Sequence, residues 1–413
     1  MDVEESPMRD EAESTKWIQS LAELVAPLTA DHFLREICGK TPIHIKGHPE
    51  RFAYLLTWDS LNAMLSRDDF EGPKFEVVKG GKMVPPAEYR ERIEYNGNYQ
   101  AQRINLGKLN HLCREGASLV LKFLQRERHK PISHLCRILE LALASDVHVT
   151  AIAGWHDTQG FSTHWDKVDV FVMQVEGKKH WRIFPPTQRY HDDPDQFTGA
   201  PQDNPYWEGD LNPGDFLYIP RGWWHDAHPS VGPVLHLSFI KMKSLTGLDL
   251  AKHVLNRLAC YEPFRSDIPR YANTSEQEAY ISMFRKTVNE AMDKLSLEGF
   301  LQEVDSKAPG ISRPTLPWSA VPEHGPLPEI AWVHWLPTRM VGLKISDGKV
   351  TVDALGSTFS FDEAVGPILK DLMESRTVRL SELRAMHPGK VTDTFVIELT
   401  SLGLVAIAFD RDI

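Results

Sequence analysis

The spacing of apolar residues predicts helices in the first third of the chain. Apolar positions recur at helical intervals over residues 15–38. Further helices are predicted near residues 59–66, 106–112 and 118–148. Pro131 should divide the last of these stretches into two helices.

The pattern changes to short β-rich runs between about Val147 and Lys243. These runs are separated by Gly, Pro and Asp, and they are VHVTAIAG, VDVFVMQVEG, KKHWRIFPP, DFLYIP and VLHLSFIKM. Many short strands punctuated in this way are typical of a sandwich or a jelly-roll barrel. The polar, Pro- and Asp-rich segment between Pro185 and Gly214 is predicted to be an exposed loop.

Helical spacing returns over residues 245–300, before a smaller domain that mixes helices and strands. A Pro-rich stretch over residues 305–337 indicates a linker or strap. Beyond it, a hairpin is predicted to turn at Asp347-Gly348, and a strand is predicted to close the chain. Three helices are predicted between them, over residues 361–374, 381–386 and 391–402. This order of elements resembles a winged helix.

The composition is that of a folded protein with an excess of acidic residues. The chain has 413 residues, more than one hydrophobic core usually holds, so two or three domains are expected. Its content of 42% hydrophobic and 25% charged residues excludes a mostly disordered chain. The formal net charge of −11 disfavours a nucleic-acid binder that works through bulk positive charge, and it suits a basic partner or substrate.

The cysteines and the N-terminal residues bear on the cellular compartment. The 4 cysteines lie far apart without a Cys-x-x-Cys pair, so neither a disulfide framework nor a zinc ribbon is predicted. The N-terminus is acidic and polar, unlike a signal peptide, and no apolar stretch approaches the length of a membrane span. We therefore expect a soluble, cytoplasmic protein without a membrane partner.

The sequence His164-Trp165-Asp166, just before a predicted strand, is the strongest chemical signal. Residues i and i+2 of a strand project to the same face, so an imidazole and a carboxylate reach one point. A third ligand is expected from GDFLYIPRGWWHDAH, where a strand meets a turn. His225 and His228 are three positions apart and face opposite ways, and we choose His225 because it follows the turn directly. Two histidines and one carboxylate form the facial triad of non-haem Fe(II) oxygenases, although the same ligands also hold manganese.

Three segments resemble a known family. His164-x-Asp166, the strand VFVMQVEGKKHWRIFPP and the run GDFLYIPRGWWHDAHP are similar to the JmjC-type cupin 2-oxoglutarate oxygenases. The likeness is greatest to the ribosomal oxygenases, which hydroxylate arginine or histidine in ribosomal proteins. It covers roughly residues 30–410, with specific motifs in the barrel and only a similar layout outside it. The resemblance implies a mainly β catalytic core with α additions: a double-stranded β-helix (jelly-roll, cupin) barrel, a helical dimerisation region and a C-terminal winged helix.

With this resemblance, the chain divides into segments of different character. These are an N-terminal tail and helix (1–30), a JmjC/cupin catalytic domain with a helical lead-in (31–243), a helical dimerisation region (244–305), a Pro-rich linker (306–337) and a winged-helix-like domain (338–413). Residues 336–413 hold nine basic and eleven acidic side chains, which does not suit a DNA-reading wing. We therefore expect a structural or protein-binding module and no direct DNA binding. The helical region fits a homodimer interface, although packing within one chain fits its pattern equally.

The resemblance also implies roles for individual residues. His164, Asp166 and His225 become the iron ligands. Lys179, fifteen residues after His164, falls where the family places a basic residue that pairs with the far carboxylate of 2-oxoglutarate. A buried dianion needs such an inward cation, and a lysine supplies it as a compact charge. The adjacent Lys178 would face outward.

Three further polar residues could line the pocket and bind the cosubstrate: Thr150 on the entry strand, and His236 and Ser238 on the closing strand. For each of them, a role as a satisfied polar residue of the core is at least as well supported. The implied cofactors are Fe(II) and 2-oxoglutarate, with O₂ as cosubstrate, and the implied reaction is hydroxylation of a C–H bond with release of succinate. The motifs alone do not exclude demethylation.

Aromatic and acidic residues surround these motifs. Trp155, Trp165, Tyr218, Trp223 and Trp224 could form an aromatic groove for a cationic or peptide side chain, or could merely fill the core and rim of the barrel. Six acidic residues of the predicted loop could attract a basic substrate, or could form a solvated loop. They are Asp192, Asp193, Asp195, Asp203, Glu208 and Asp210.

The expected function is hydroxylation of an arginine- or histidine-type side chain in a protein, such as a ribosomal protein, by an Fe(II)- and 2-oxoglutarate-dependent oxygenase. Two alternatives stay open at this point. One is a tailoring hydroxylase that acts on a peptide precursor or an amino acid in secondary metabolism. The other is a cupin that binds a metal or ligand without turnover, as a scaffold or regulator.

Overall fold

The computed structural model describes residues 17–67, 74–95, 99–127, 129–155, 161–188, 190, 204–229, 232–321, 326–339 and 342–411. These residues form two compact units that divide between Lys243 and Ser244. Within the same ranges, no helix combines the length and the apolar character needed to cross a membrane.

The helices of the first unit are mostly short. They are α1 (Leu21–Leu24), α2 (Ala30–His32), α3 (Glu50–Ala53), α4 (Trp58–Leu65), α5 (Leu106–Arg114) and α6 (Lys130–Leu143). The prediction of helical spacing over residues 15–38 is confirmed in part, because α1 and α2 lie in this stretch and a π-helical turn, Phe33–Ile37, continues α2. The stretch is not one helix, since Pro27, which lacks a backbone N–H, separates α1 from α2. The prediction over residues 118–148 is wrong in part: Pro131 lies in the first turn of α6, and Ser118–Leu121 is a strand.

The strands of the first unit form two antiparallel sheets and one separate hairpin. The strands are β1 (Ile43–Ile45), β2 (Phe75–Lys79), β3 (Lys82–Met83), β4 (Arg90–Tyr95), β5 (Tyr99–Ile104), β6 (Ser118–Leu121), β7 (Val147–Gly154), β8 (His164–Trp165), β9 (Asp169–Glu176), β10 (Lys179–Phe184), β11 (Trp207–Leu211), β12 (Phe216–Ile219), β13 (Trp224–Pro229) and β14 (Val234–Lys241). The larger sheet has the order β1-β12-β9-β14-β7-β6-β2-β3 and the smaller one the order β11-β10-β13-β8. The separate hairpin pairs β4 with β5.

Strand β9 lies between two cores. Val170 and Val172 pack with Trp181 of β10 in a core that both sheets share. Phe171 and Met173 point the other way and belong to the larger core, which includes residues of the helices. The continuous apolar run of β9 therefore follows from burial on both faces. Two antiparallel sheets packed on a common core are the layered architecture that the short strands predicted.

The second unit begins with helices and ends with a mixture of helices and strands. Its helices are α7 (Gly247–Leu258), α8 (Thr274–Asp293), α9 (Leu297–Ser306), α10 (Gly366–Ser375), α11 (Leu380–Met386) and α12 (Lys390–Ser401). Its strands are β15 (Trp332–Trp335), β16 (Leu343–Ser346), β17 (Lys349–Ala354), β18 (Ser357–Asp362), β19 (Thr377–Arg379) and β20 (Val405–Ala408). They form two sheets, with the orders β19-β15-β20 and β16-β17-β18.

The Pro-rich segment over residues 306–337 is not a linker throughout. Its strand β15 is the central strand of a sheet, and Val333 and Trp335 are buried in the core of the second unit. The four residues of β15 contain no proline, which a central strand excludes because proline cannot donate a ladder hydrogen bond. The hairpin predicted at Asp347-Gly348 is confirmed by the pairing of β16 with β17.

Candidate metal and cosubstrate site

Strands β8 and β13 bring the predicted metal ligands together. The two strands pair so that His164 lies directly opposite His225, with their ring centres 4.4 Å apart. Asp166 follows β8, and its Oδ2 atom lies 3.5 Å from Nε2 of His225. One ligand atom from each of the three side chains lies within 4.8 Å of the others, an arrangement that the described residues contain once.

Backbone carbonyls determine which nitrogen of each imidazole faces the shared point. Nδ1 of His164 lies 2.8 Å from the carbonyl oxygen of Ser162, and Nδ1 of His225 lies 3.1 Å from that of Trp223. A carbonyl oxygen only accepts, so each Nδ1 donates a proton and each Nε2 keeps its lone pair. Burial lowers the pKa of His225, with a further contribution from His164, which favours the neutral ring that a metal requires. Two neutral imidazoles and one carboxylate fit a divalent transition metal.

The turn before β13 is tied to the segment that carries the other ligands. The N–H of Gly222 donates to the carbonyl oxygen of Asp166 at 2.8 Å. The N–H of Arg221 donates to the carboxylate of Asp169, the first residue of β9, at 2.9 Å. Gly222 has a φ of +82°, a conformation that favours glycine. The Arg-Gly pair before His225 therefore has a structural reason.

A cavity of about 270 Å³ lies beside the three ligands. All four residues predicted to bind the cosubstrate line this cavity: Lys179 of β10, Thr150 of β7, and His236 and Ser238 of β14. Thr150 and Ser238 lie directly opposite each other in the larger sheet. The structure thus places these residues and the metal triad around one space.

Lys179 carries a buried amine that faces the cavity. Its side chain is only 8% exposed, and burial lowers the pKa of its ammonium group to about 7. Over the ranges that the structure describes, no carboxylate lies within ion-pair distance of its Nζ atom, which lies 5.4 Å from the ring centre of Trp181. A buried amine without a partner is costly, and an anion in the cavity would stabilise its charged form.

His236 is a second buried polar group on the cavity wall. Neither of its ring nitrogens has a hydrogen-bond partner among the described residues. Burial holds its pKa well below the ordinary value, and the charge of Lys179 acts in the same direction. The neutral ring can therefore offer one donor and one acceptor to a bound molecule.

Two aromatic residues that line the cavity, Trp181 and Phe161, were not predicted from the sequence. Trp181 lies two positions after Lys179 on β10, so the period of the strand was a signal that could have identified it. Phe161 lies outside the regular elements, and its ring centre is 6.1 Å from that of His164. No spacing argument identifies such a residue.

For three of the five aromatic residues around the motifs, the structure supports the alternative that they fill the core and rim of the barrel. Tyr218 and Trp224 are fully buried, and Trp155 donates its indole N–H to the carbonyl oxygen of Ala117 at 2.9 Å. These three belong to the packing of the barrel. Trp165 and Trp223 are half-buried.

The prediction of a loop from Pro185 to Gly214 is wrong for its last part. Glu208 and Asp210 lie on β11, where they contact Nε2 and Nδ1 of His180 at 3.0 and 2.8 Å. They therefore belong to a strand of the smaller sheet and not to a loop. The other acidic residues of the prediction lie outside the described residues; they are Asp192, Asp193, Asp195 and Asp203. His228 lies on the face of β13 opposite His225, with its Nε2 atom 3.4 Å from Asp226.

Comparisons with known proteins identify a domain, relatives and a fold that are similar to those of this chain. A model of the JmjC domain matches residues 122–248, which contain the triad, Lys179 and strands β7 to β14. The chain is 30% identical over 264 residues to the bifunctional lysine-specific demethylase and histidyl-hydroxylase NO66 of Dictyostelium discoideum, a match that covers 60% of this chain and 49% of that protein. It is 28% identical over 228 residues to ribosomal oxygenase 1 of Gallus gallus, which covers 54% of this chain and 35% of that protein.

The chain thus spans half or less of the length of these two relatives. A solved structure of YcfD, a ribosomal oxygenase from Escherichia coli, in complex with cobalt and 2-oxoglutarate, shares the fold with a TM-score of 0.52. The match has 17% sequence identity and covers 92% of this chain and 98% of that one. Residues 122–248 therefore match a JmjC domain, and the chain is similar in sequence to one ribosomal oxygenase and in fold to another.

Proposed function

We propose that this protein is an Fe(II)- and 2-oxoglutarate-dependent oxygenase that hydroxylates an arginine- or histidine-type side chain in a protein such as a ribosomal protein. The observation that supports this most directly is that one cavity holds both a set of candidate metal ligands and a buried amine. His164, Asp166 and His225 converge at one place on its wall, and Lys179, which has no carboxylate partner among the described residues, faces the same space. A dicarboxylate that chelates a metal at one end satisfies both groups at once.

The proposed roles follow from the position of each residue. When bound, Fe(II) and 2-oxoglutarate supply the oxidising chemistry, which consumes O₂ and releases succinate and CO₂ as a substrate C–H bond is hydroxylated. His164, Asp166 and His225 hold the metal and leave coordination positions open for the reactants. Lys179 pairs with the far carboxylate of the cosubstrate, and this pairing orients it towards the metal.

Thr150, His236 and Ser238 are proposed to hydrogen-bond the cosubstrate. All three line the cavity, and His236 has both ring nitrogens unpaired among the described residues. Apolar neighbours such as Val234 and Ile219 exclude water from the same space. A small number of polar groups on a mostly apolar wall is typical of a cofactor pocket.

The substrate is proposed to approach past Asp166 and Phe161. The Asp166 side chain and Phe161 are each 37% exposed, so the triad is accessible to solvent on this side. A basic protein substrate suits the net charge of −11. The names of the relatives, a histidyl-hydroxylase and a ribosomal oxygenase, support a protein side chain as the target.

The test is to incubate the purified protein with Fe(II), 2-oxoglutarate and ribosomal proteins, and to measure succinate together with the masses of the proteins. We expect succinate that depends on iron and 2-oxoglutarate, and a mass gain of one oxygen on a ribosomal protein. Hydroxylation of a free amino acid or a short peptide instead would indicate a tailoring enzyme. Metal binding without succinate, with any of these substrates, would indicate a non-catalytic cupin.

The helices that begin the second unit are proposed to form a homodimer interface. The 20-residue helix α8 has no buried residue, and large apolar side chains on this helix and its neighbours are exposed. They are Leu248, Leu255, Ile281, Phe284, Met292, Leu297 and Leu301. Light scattering of the full chain should give twice the monomer mass, and Ile281→Glu should reduce it.

The last part of the chain is proposed to be a winged-helix-like module that does not bind DNA, because its acidic residues outnumber its basic ones.

A cytoplasmic location is proposed from the state of the cysteines. All 4 cysteines are free, as a reducing compartment would keep them.

A further inference from the structure

Asp226 follows His225 in β13 and faces the opposite side of the smaller sheet. Its side chain is 0% exposed, and its carboxylate accepts hydrogen bonds from Nε and Nη2 of Arg182 at 3.0 and 2.9 Å. The hydroxyl of Thr163 donates to the same carboxylate at 2.9 Å. A buried carboxylate that is held by a forked guanidinium and a hydroxyl is fixed in position.

Thr163 directly precedes His164, and the strand that follows it is short. Strand β8 has 2 residues, lies at the edge of the smaller sheet and pairs with β13 through His164 and Trp165. Two residue pairs are a weak hold on an edge strand, and such segments open readily. The hydrogen bond from Thr163 to Asp226 adds a tie between β13 and the segment that carries two of the three proposed ligands.

Arg182 extends this tie to a third strand. It lies directly opposite Asp226 where β10 pairs with β13. Asp226 therefore joins β8, β13 and β10 on the face away from the cavity, while the metal triad lies on the face towards it. Because successive side chains alternate between faces, the support of the site and the site itself occupy neighbouring positions in the sequence.

We propose that Asp226 is a positioning residue for the metal site. Through Thr163 and Arg182 it holds β8 against β13 and β10, and it thereby keeps His164 and Asp166 in place before an ion binds. This inference rests on the proposed metal site, and residues that orient ligands without touching the ion commonly affect metal affinity.

Titration of the metal-free protein with Co(II), followed by visible absorption, tests the proposal without turnover. Asp226→Ala and Thr163→Val should each weaken Co(II) binding by about 10-fold or more and change the absorption spectrum. Thr163→Ser keeps the hydroxyl and should restore the wild-type affinity. The matched control is Asp210→Asn, which changes another carboxylate of the same outer face that pairs with Lys178 and His180. This variant should bind Co(II) as the wild type does.

The outcomes separate positioning from folding and from the metal proposal itself. The melting temperature of each metal-free variant shows whether it is folded. If Asp226→Ala does not fold, Thr163→Val alone tests the positioning role. Wild-type affinity and spectrum in Thr163→Val would overturn the positioning role, whatever its melting temperature. If the wild-type protein binds no Co(II), the metal site itself is wrong; if it binds and both variants match it, only the role of Asp226 is lost.

Discussion

The two faces of strand β10 carry similar residues in opposite environments. On the outer face, His180 pairs with Asp210 and Glu208, and Arg182 pairs with Asp226. Lys178, which directly precedes the strand, also pairs with Asp210. On the inner face, Lys179 has no carboxylate partner in the described part of the chain. The pKa values move in opposite directions: hydrogen bonding to Asp210 raises the pKa of His180, whereas burial lowers that of Lys179 to about 7.

The presence or absence of a carboxylate partner distinguishes structural ion pairs from groups that could bind a ligand. The pairs that Lys178 and His180 form with Asp210 and Glu208 remain near solvent, so each contributes little to stability. Arg182 differs, because its partner Asp226 is fully buried. The inner side chains are desolvated, and the described residues provide no partners that compensate for this. Their burial therefore disfavours folding, and binding of an anion or a metal would offset that cost. Polar residues with the same strand spacing can thus be assigned to different roles from their partners alone.

Removal of a triad histidine should have the largest effect. His164→Ala removes a proposed ligand and should reduce succinate formation by more than about 100-fold, beyond the usual effect of a residue that only supports a ligand. His180→Ala, on the outer face of the same sheet, should change it less than twofold. The two variants are compared by succinate release at saturating Fe(II) and 2-oxoglutarate. Full turnover in His164→Ala would contradict the ligand assignment.

The neighbouring lysines allow a closer comparison of the two faces. Lys179→Met should raise the KM for 2-oxoglutarate by about 10- to 100-fold, because a charged hydrogen bond is worth about 1.5 to 3 kcal/mol. Lys178→Met removes an exposed charge that pairs with Asp210, and it should leave this KM unchanged. Equal KM values in the two variants would remove the main support for a dicarboxylate cosubstrate.

The pH dependence of stability should show the smallest effect when it is taken per pH unit. The pKa of Lys179 is about 7 in the folded protein and 10.5 ordinarily, so the unfolded chain binds more protons between these values. The free energy of unfolding of the metal-free protein should therefore rise from pH 7 towards pH 10, by at most about 1.4 kcal/mol per pH unit from this group.

Urea denaturation of the wild type and of Lys179→Met over this pH range checks the prediction, since the variant should lack this rise. His180 contributes with the opposite sign: its stabilisation is complete below its ordinary pKa of 6.5 and is lost as pH rises through the higher folded value. A similar slope in both proteins would show that Lys179 is charged in the folded state.

Local periodicity predicted part of the candidate site, and the family resemblance supplied the choice of Lys179. The spacing of His164 and Asp166 places both side chains at one point, and the alternation of β10 separates Lys179 from Lys178. Register is not local, however. The contacts of Arg182 with Asp226 depend on how β10 and β13 align, and nothing in either segment alone specifies that alignment.

The wrong predictions have similar physical causes. Ser118–Leu121 is a short apolar run, which periodicity cannot distinguish from part of a buried helix. Trp332–Trp335 is flanked by prolines that suggested a linker, but the strand itself contains no proline. In both cases the pairing partner is distant in the chain, and tertiary contacts decided the structure.

The alternation along β13 also limits how this chain can change in length. His225 faces the cavity, and its neighbours Trp224 and Asp226 face away from it. An insertion or deletion of one residue within this strand would exchange the imidazole for an indole or a carboxylate at the proposed metal position. The N–H of Gly222 also anchors the turn before this strand. In sequences descended from a common ancestor, insertions and deletions should therefore avoid the interval from Gly222 to Asp226.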